Sequence, residues 1–446
     1  MEERNLKKEI GLFMATMLVC GNMIGSGVFM LPATLAQLSG PMATIIAWVI
    51  TSLGSILIAL SFANLGSKFT VTGGPYQYTK HAFGEFAGFL CAWLYWNGSW
   101  IGNAAILVAL TSYSAAVIPA LSNPLYSIIF SSAMLWIFTI INIVGVKQAG
   151  KLQTVATVFK IGFFAIFVVV ALLHFNVANI TPLIPTGKGL NTIPLAATST
   201  LWAFVGLESA SVTAGEIKNP EKNVRKSTIY GMIIAACVYI LISIASMGAM
   251  PNAELAQSQA PLTDILTNIL GSSIGRPITI AVVICILGTT IGWLLSTARV
   301  AFAAGEDGVF PKFFGKLHPV HKTPANALIA GSVLVNVLLV MNYQKSMVSA
   351  FTFITLLATL SFLPIYLLTA SAEIMLMFKK GEKFNFGIFV KKAFIPLLAF
   401  IYSVWTIYGS GAETVMWGFI LMLIGVPFYI FNYHKNKLDT QKTDIF

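Results

Sequence analysis

The segment LVCGNMIGSGVFMLP carries two glycines around a serine, Gly25-Ser26-Gly27, inside an apolar run, with Asn22 before them and Pro32 shortly after. Glycine adopts backbone angles that a helix does not use. The triplet can therefore unwind the chain and leave free N–H groups at the start of a second half-helix, where a carboxylate is well placed. A patch of small residues packing two helices together reads from the same spacing equally well. A second candidate break lies in LWAFVGLESAS, where Gly206 at mid-run is followed by Glu208. A carboxylate in hydrocarbon costs about 3 kcal/mol on insertion scales, so it is a functional candidate by default. Lys160, in TVFKIGFF, is its cationic counterpart. Its ammonium must face other helices and find acceptors there, or reach back along the helix to the membrane surface.

Two polar stripes accompany the breaks. Tyr95, Ser99 and Asn103 recur every four residues, as do Thr289, Trp293 and Thr297. That spacing puts each set on one helix face. A tryptophan between hydroxyls suits a polar cavity, and it also suits plain helix packing or an interfacial anchor. Cys20, Cys91, Cys237 and Cys285 lie in apolar segments without metal-ligand spacing, and the five histidines fall in loops or at helix ends. No metal, no cofactor and no nucleophile–base pair is therefore expected, and an enzyme is the weakest reading.

The elements that position these residues follow from composition. Hydrophobic residues make up 57% of the 446 and charged residues only 10%. That leaves too little polar surface to cover a soluble globule, so the solvent is largely lipid. Hydrocarbon offers backbone groups no partners, and the apolar runs do not alternate as barrel strands do, so the spans are helices. About twelve stretches are long enough to cross ~30 Å of hydrocarbon. They lie near 10–36, 42–66, 85–116, 125–144, 153–174, 192–213, 227–249, 278–302, 323–341, 348–378, 391–409 and 412–432. The chain is thus expected to be an all-α polytopic membrane protein. The first stretch is too long for a signal peptide and lacks a small-residue cleavage site, so it is read as retained.

The net charge of +11 raises the question of nucleic acid, and the placement of the basic residues answers it. Lys68, Lys80, Lys147, Lys151, Lys218, Lys222, Arg225, Lys226, Arg299, Lys312, Lys316, Lys322 and the lysines of 379–392 all fall in alternate gaps, together with the basic residues of both termini. Only Lys188, Arg276 and Lys345 fall on the other side, with Lys160 inside a span. This asymmetry predicts both termini on the cytoplasmic side of the cell membrane and makes nucleic-acid binding unnecessary. Breaks in the first and sixth spans, five apart, are what an inverted repeat predicts, and carriers bind at such interrupted helices. The sequence itself shows no self-similarity.

In GNMIGSGVFMLP, TLWAFVGLESASV, KNPEKNV and AAGEDGVFP, with GGPYQY as a loop after the second span, the chain resembles the amino acid–polyamine–organocation (APC) superfamily of amino-acid transporters over essentially its whole length. Within it the arginine/agmatine antiporter branch is the most similar. The resemblance implies the LeuT-type fold: a first five-helix repeat at 10–175, a second at 192–378, two further helices at 391–432, and cytoplasmic tails at 1–9 and 433–446. It implies one central site in which Ser26 and Gly27, flanked by Asn22 and Gly25, hold a substrate carboxylate, while carbonyls near Met23 and Val205 accept from its amino group. Trp202 is then a gate, Glu208 a coupling or gating acid, and Trp293 a stacking surface for a cation. Gly98, Ser99 and Asn103 fall where that branch binds the distal head group. Leu357 stands where the branch has a serine, which makes the distal pocket more apolar. Lys160 resembles the fifth-span lysine of proton-coupled and neutral amino-acid members, where the ammonium meets carbonyls near Gly21 and Asn22.

The expectation is secondary active transport of L-amino acids by alternating access, leaning to proton-coupled uptake of neutral amino acids. The alternative is antiport of a cationic amino acid of arginine, lysine or ornithine type for its amine or another amino acid. An amino-acid-sensing receptor or a channel stands outside both; a channel would show charge rings or a filter loop. The partners expected are the amino acid, protons and the lipid bilayer, with a homodimer left open.

Overall fold

The structure is a computed structural model that describes residues 6–258, 260–342, 347–377 and 385–443; within these, the side chains of 342, 347–357, 359–360, 388, 414 and 436–443 lie outside the description. Among the described residues, all regular structure is helical apart from one parallel bridge between Ile10 and Ile217. In chain order come α1 (Leu12–Met23), α2 (Gly27–Leu38), α3 (Pro41–Lys68), α4 (Pro75–Phe83), α5 (Glu85–Val117), α6 (Pro124–Val144) and α7 (Val146–Leu173). Then follow α8 (Ile193–Leu201), α9 (Ser209–Val212), α10 (Pro220–Ala249), α11 (Asn252–Gln257), α12 (Pro261–Leu270) and α13 (Gly275–Glu306). The chain closes with α14 (Ala325–Asn342), α15 (Met347–Met375), α16 (Phe386–Gly409) and α17 (Ala412–Thr443).

Among the described residues, ten segments are long and apolar enough to cross a membrane, and two shorter apolar helices, Ala325–Met341 and Ser361–Met375, fall on the ninth and tenth apolar stretches. The protein is a multi-pass, all-helical membrane protein. Its helices run past the apolar stretches at the charged end, so Lys68 closes α3, Lys147 and Lys151 lie in the first turns of α7, and Lys222, Arg225 and Lys226 ride on α10. Hydropathy marks the hydrocarbon, and a helix continues into water wherever nothing stops it. The GGPYQY loop also turns helical: Gly73 and Gly74 take positive φ, and Pro75 opens α4.

Arg299 departs from expectation. It is no gap residue of the charged side: it lies inside α13, fully buried, and forms a bidentate pair with Glu216 through Nε at 2.8 Å and a terminal nitrogen at 2.6 Å. A buried guanidinium needs such a partner.

The first and sixth spans are interrupted. α1 stops at Met23; Ile24 leaves the helical region with ψ at 72°, and α2 restarts at Gly27. α8 ends at Leu201 in a tight turn over Trp202–Phe204, and Val205 and Gly206, the latter at φ 115°, lead into α9. Around the breaks, α5 packs on α13 and α15, and α10 packs on α1 and α3. α7 turns Val155, Ile166 and Val169 outward and buries Phe164, Phe167 and Lys160, which rules out a lysine that reaches back to the membrane surface.

Candidate functional site at the two helix breaks

The start of α2 presents the N–H groups of Gly27 and Val28, which have no acceptor within their own helix. With the helix dipole behind them they suit an anionic group. Trp202 lies directly over this turn, since a Cβ on Gly27 would come 2.9 Å from the Trp202 ring. Beneath it is a small cavity with about 20 Å³ open to the centre of a water molecule. This amounts to one or two waters, so the site must widen to admit an amino acid.

Ten residues singled out from the sequence line this cavity together: Asn22, Met23, Gly25, Ser26, Gly27, Gly98, Ser99, Trp202, Val205 and Trp293. Thr289, from the second polar stripe, joins them. Gly102, Ile106, Ala203 and Phe362 also line it and were not anticipated. Gly102 and Ile106 continue the Gly98 face of α5 at intervals of one helical turn, a signal the sequence did carry. Phe362 meets the edge of Trp293 with ring centres 5.6 Å apart, and no spacing rule announces it. None of the described lining residues is charged.

Asn103 lies elsewhere: its Nδ2 donates to Thr297 Oγ1 at 3.1 Å and ties α5 to α13 outside the cavity wall. The side chain of Leu357 falls outside the described residues. Asn22 lines the cavity, yet its amide is committed within the protein. Nδ2 donates to Ser209 Oγ at 2.8 Å and Ser296 Oγ at 3.1 Å, and Oδ1 accepts from Gln153 Nε2 at 2.9 Å. One side chain therefore joins both broken helices to α7 and α13. The Asn22 carbonyl accepts from Trp293 Nε1 at 2.9 Å.

The carbonyls freed where α1 ends are also engaged. Lys160 Nζ donates to the Ile24 carbonyl, to Thr289 Oγ1 at 2.7 Å and to the Gly21 carbonyl at 3.4 Å. The negative end of the half-helix thus faces a buried ammonium. Of the two carbonyl neighbours expected, Gly21 takes part, while that of Asn22 is held by Trp293.

Glu208 is fully buried and does not line the cavity. Its Oε2 accepts from Tyr366 Oη at 3.1 Å and from the Gly206 N–H at 3.2 Å, so it closes the sixth-span break. Towards the charged end stand two further ties. The Arg299–Glu216 pair joins α13 to the turn after α9, whose Glu216 carbonyl accepts the N–H groups of Glu9 and Ile10 at 3.0 and 2.9 Å. Asp307 accepts from Tyr76 at 2.5 Å and Lys80 at 2.8 Å, joining α4 to the end of α13. Burial, and the Asp307 carboxylate beside it, hold the Tyr76 hydroxyl well above the usual phenol range.

Residues 10–439 match the family model described as amino acid permease. A Bacillus subtilis (strain 168) protein, provisionally assigned as an arginine/ornithine antiporter, is 32% identical over 97% of this chain and 99% of its own. The arginine/ornithine antiporter of Pseudomonas aeruginosa is 30% identical over 95% of this chain and 90% of its own. The arginine/agmatine antiporter of Chlamydia abortus is 30% identical with the same coverage, 95% and 90%.

Proposed function

The chain belongs to the amino acid permease family of transporters, and from that premise we propose that it exchanges a cationic amino acid, of arginine, lysine or ornithine type, for its amine or another amino acid. The names of its relatives turn the preference away from neutral amino-acid uptake and towards the antiport alternative. The observation that carries the reading is a narrow cavity whose described walls carry no charge and include both the start of α2 and Trp293. The first suits a substrate carboxylate, and the ring face suits a distal cation.

In this reading Ser26 and Gly27 hold the carboxylate, and Met23 and Val205 offer carbonyls to the amino group. Trp202 closes the site, and Gly98, Ser99 and Trp293 shape the distal end. Two inverted five-helix repeats, 10–175 and 192–378, rock about this point in the cytoplasmic membrane, with both termini cytoplasmic. Lys160 and Glu208 bias which side is open, each through one of the two breaks.

Proton-coupled uptake of neutral amino acids is the second reading. It draws on Lys160 at the broken first helix and on the apolar Ile106 and Phe362 in the wall. Proteoliposomes separate the two. Exchange requires labelled arginine or lysine to enter only vesicles preloaded with a counter-substrate such as ornithine, agmatine or putrescine. Entry of leucine or alanine into empty vesicles, driven by a pH gradient, would establish the second reading instead.

A further inference from the structure

Away from the central cavity, a large apolar groove of about 940 Å³ opens between α5, α17 and the segment after α13. Trp93, Trp96, Trp100, Phe310 and Phe428 line it, and Lys312 and Lys435 stand at its rim. Two hydrogen bonds tie its walls together. Trp93 Nε1 donates to the Leu421 carbonyl at 2.9 Å, and Asn432 Nδ2 donates to the Gly308 carbonyl at 2.5 Å. From Leu421 to Lys435 the groove follows α17 for about 21 Å at 1.5 Å per residue. One leaflet of hydrocarbon is about 15 Å deep, so the groove runs from a charged membrane surface to near the midplane.

A second, shallower apolar hollow of about 640 Å³ shares Pro427, Phe431 and Lys435 with the first. Phe431, 72% exposed, stands between them as a ridge. Two apolar tracks therefore meet at a lysine on the end that also carries Lys80, Lys316 and Lys322.

We propose that this groove is a binding site for one anionic diacyl phospholipid of the lysine-rich leaflet, with its phosphate against Lys312 and Lys435 and its two chains on either side of Phe431. The two lysines are separated by more than a hundred residues and converge on one apolar groove. Basic pockets between membrane helices recognise anionic head groups in this way. A second copy of the chain would bring another helix to the rim, and nothing in that contact calls for two positive charges at one end.

The test uses the full chain, purified and delipidated in detergent. It is titrated with phosphatidylglycerol and with phosphatidylcholine of identical brominated chains, reading tryptophan quenching and, by native mass spectrometry, bound lipid. Phosphatidylglycerol should saturate at a concentration roughly tenfold below phosphatidylcholine. Lys312→Gln with Lys435→Gln should erase that preference, Trp96→Phe should reduce the quenching amplitude, and glycerol phosphate should not compete. Equal saturation by the two lipids would overturn the proposal, as would quenching unchanged in both Trp96→Phe and Trp100→Phe, or competition by glycerol phosphate. So would a two-copy mass that excludes the lipid, which would make the groove an interface between copies.

Discussion

Gly206 lies against the backbone of Asn22, so that a Cβ on Gly206 would come 3.0 Å from the Asn22 carbonyl carbon and from the Met23 nitrogen. The two helix interruptions thus touch each other, and at a residue whose φ of 115° also disfavours a side chain. Holding an alanine at that backbone angle costs Gly206→Ala about 1–3 kcal/mol. The clash adds to this, because backbone cannot swing aside. Substrate affinity of the purified variant should fall at least tenfold, while Gly162→Ala, whose Cβ meets only open space, keeps it. Unchanged affinity in Gly206→Ala would show that the two breaks are not held together.

Trp293 has two tasks in the structure, since its N–H holds the Asn22 carbonyl while the ring lines the cavity. Trp293→Leu should weaken arginine or ornithine binding by about 1–2 kcal/mol, roughly five- to thirtyfold. Trp293→Phe restores the ring face without the N–H donor, so recovery should be partial. Equal losses for leucine and arginine in calorimetric titrations would remove the case for cation stacking.

Glu208 receives two donors at the sixth-span break, the Gly206 N–H and the Tyr366 hydroxyl. Glu208→Gln keeps an oxygen for both and removes the charge, mimicking the protonated acid. Turnover should slow and its pH dependence flatten, with substrate affinity within about threefold of wild type. A wild-type pH profile in this variant would exclude Glu208 as a proton-sensitive gate.

Lys160→Ala removes the donor that three acceptors at the end of α1 and on α13 share. Hydrogen bonds from a charged donor are worth about 1.5–3 kcal/mol each, so exchange should slow tenfold or more. Lys160→Arg keeps the charge but brings a larger, planar group to a fully buried site, and should not rescue. A loss at every pH is what exchange requires. A loss confined to pH-driven accumulation of neutral amino acids would favour the second reading.

Glu216→Ala strands the Arg299 guanidinium in a fully buried position. Removing one partner of such a pair costs about 3–5 kcal/mol. Thermal unfolding in detergent should shift down sharply, and Glu216→Met combined with Arg299→Met should recover much of the loss. If the double variant is as unstable as the single one, the pair is not what holds α13 to the turn after α9.

The sequence by itself determined the solvent and the spans, and it marked the two candidate breaks, the first of them with a helix-packing patch as an equal reading. Each of these is a local matter: apolar length against hydrocarbon thickness, glycine against helix, charge against lipid. Glu208 and Lys160 stood out for the same reason, since an ionisable group in a span is costly wherever its partners lie. What those groups touch was decided only by tertiary structure. Helical period places Tyr95, Ser99 and Asn103 on one face, but not how the helix is rotated. Ser99 reaches the cavity wall, and Asn103 turns to Thr297 on α13. Arg299 looked like one more charge of the basic side until folding set it on Glu216, 83 residues away. Asn22 looked free to meet a substrate, and its amide is spent on Ser209, Ser296 and Gln153, the farthest 274 residues distant. Such pairings depend on which helices become neighbours, a property of the packed bundle that no local spacing encodes.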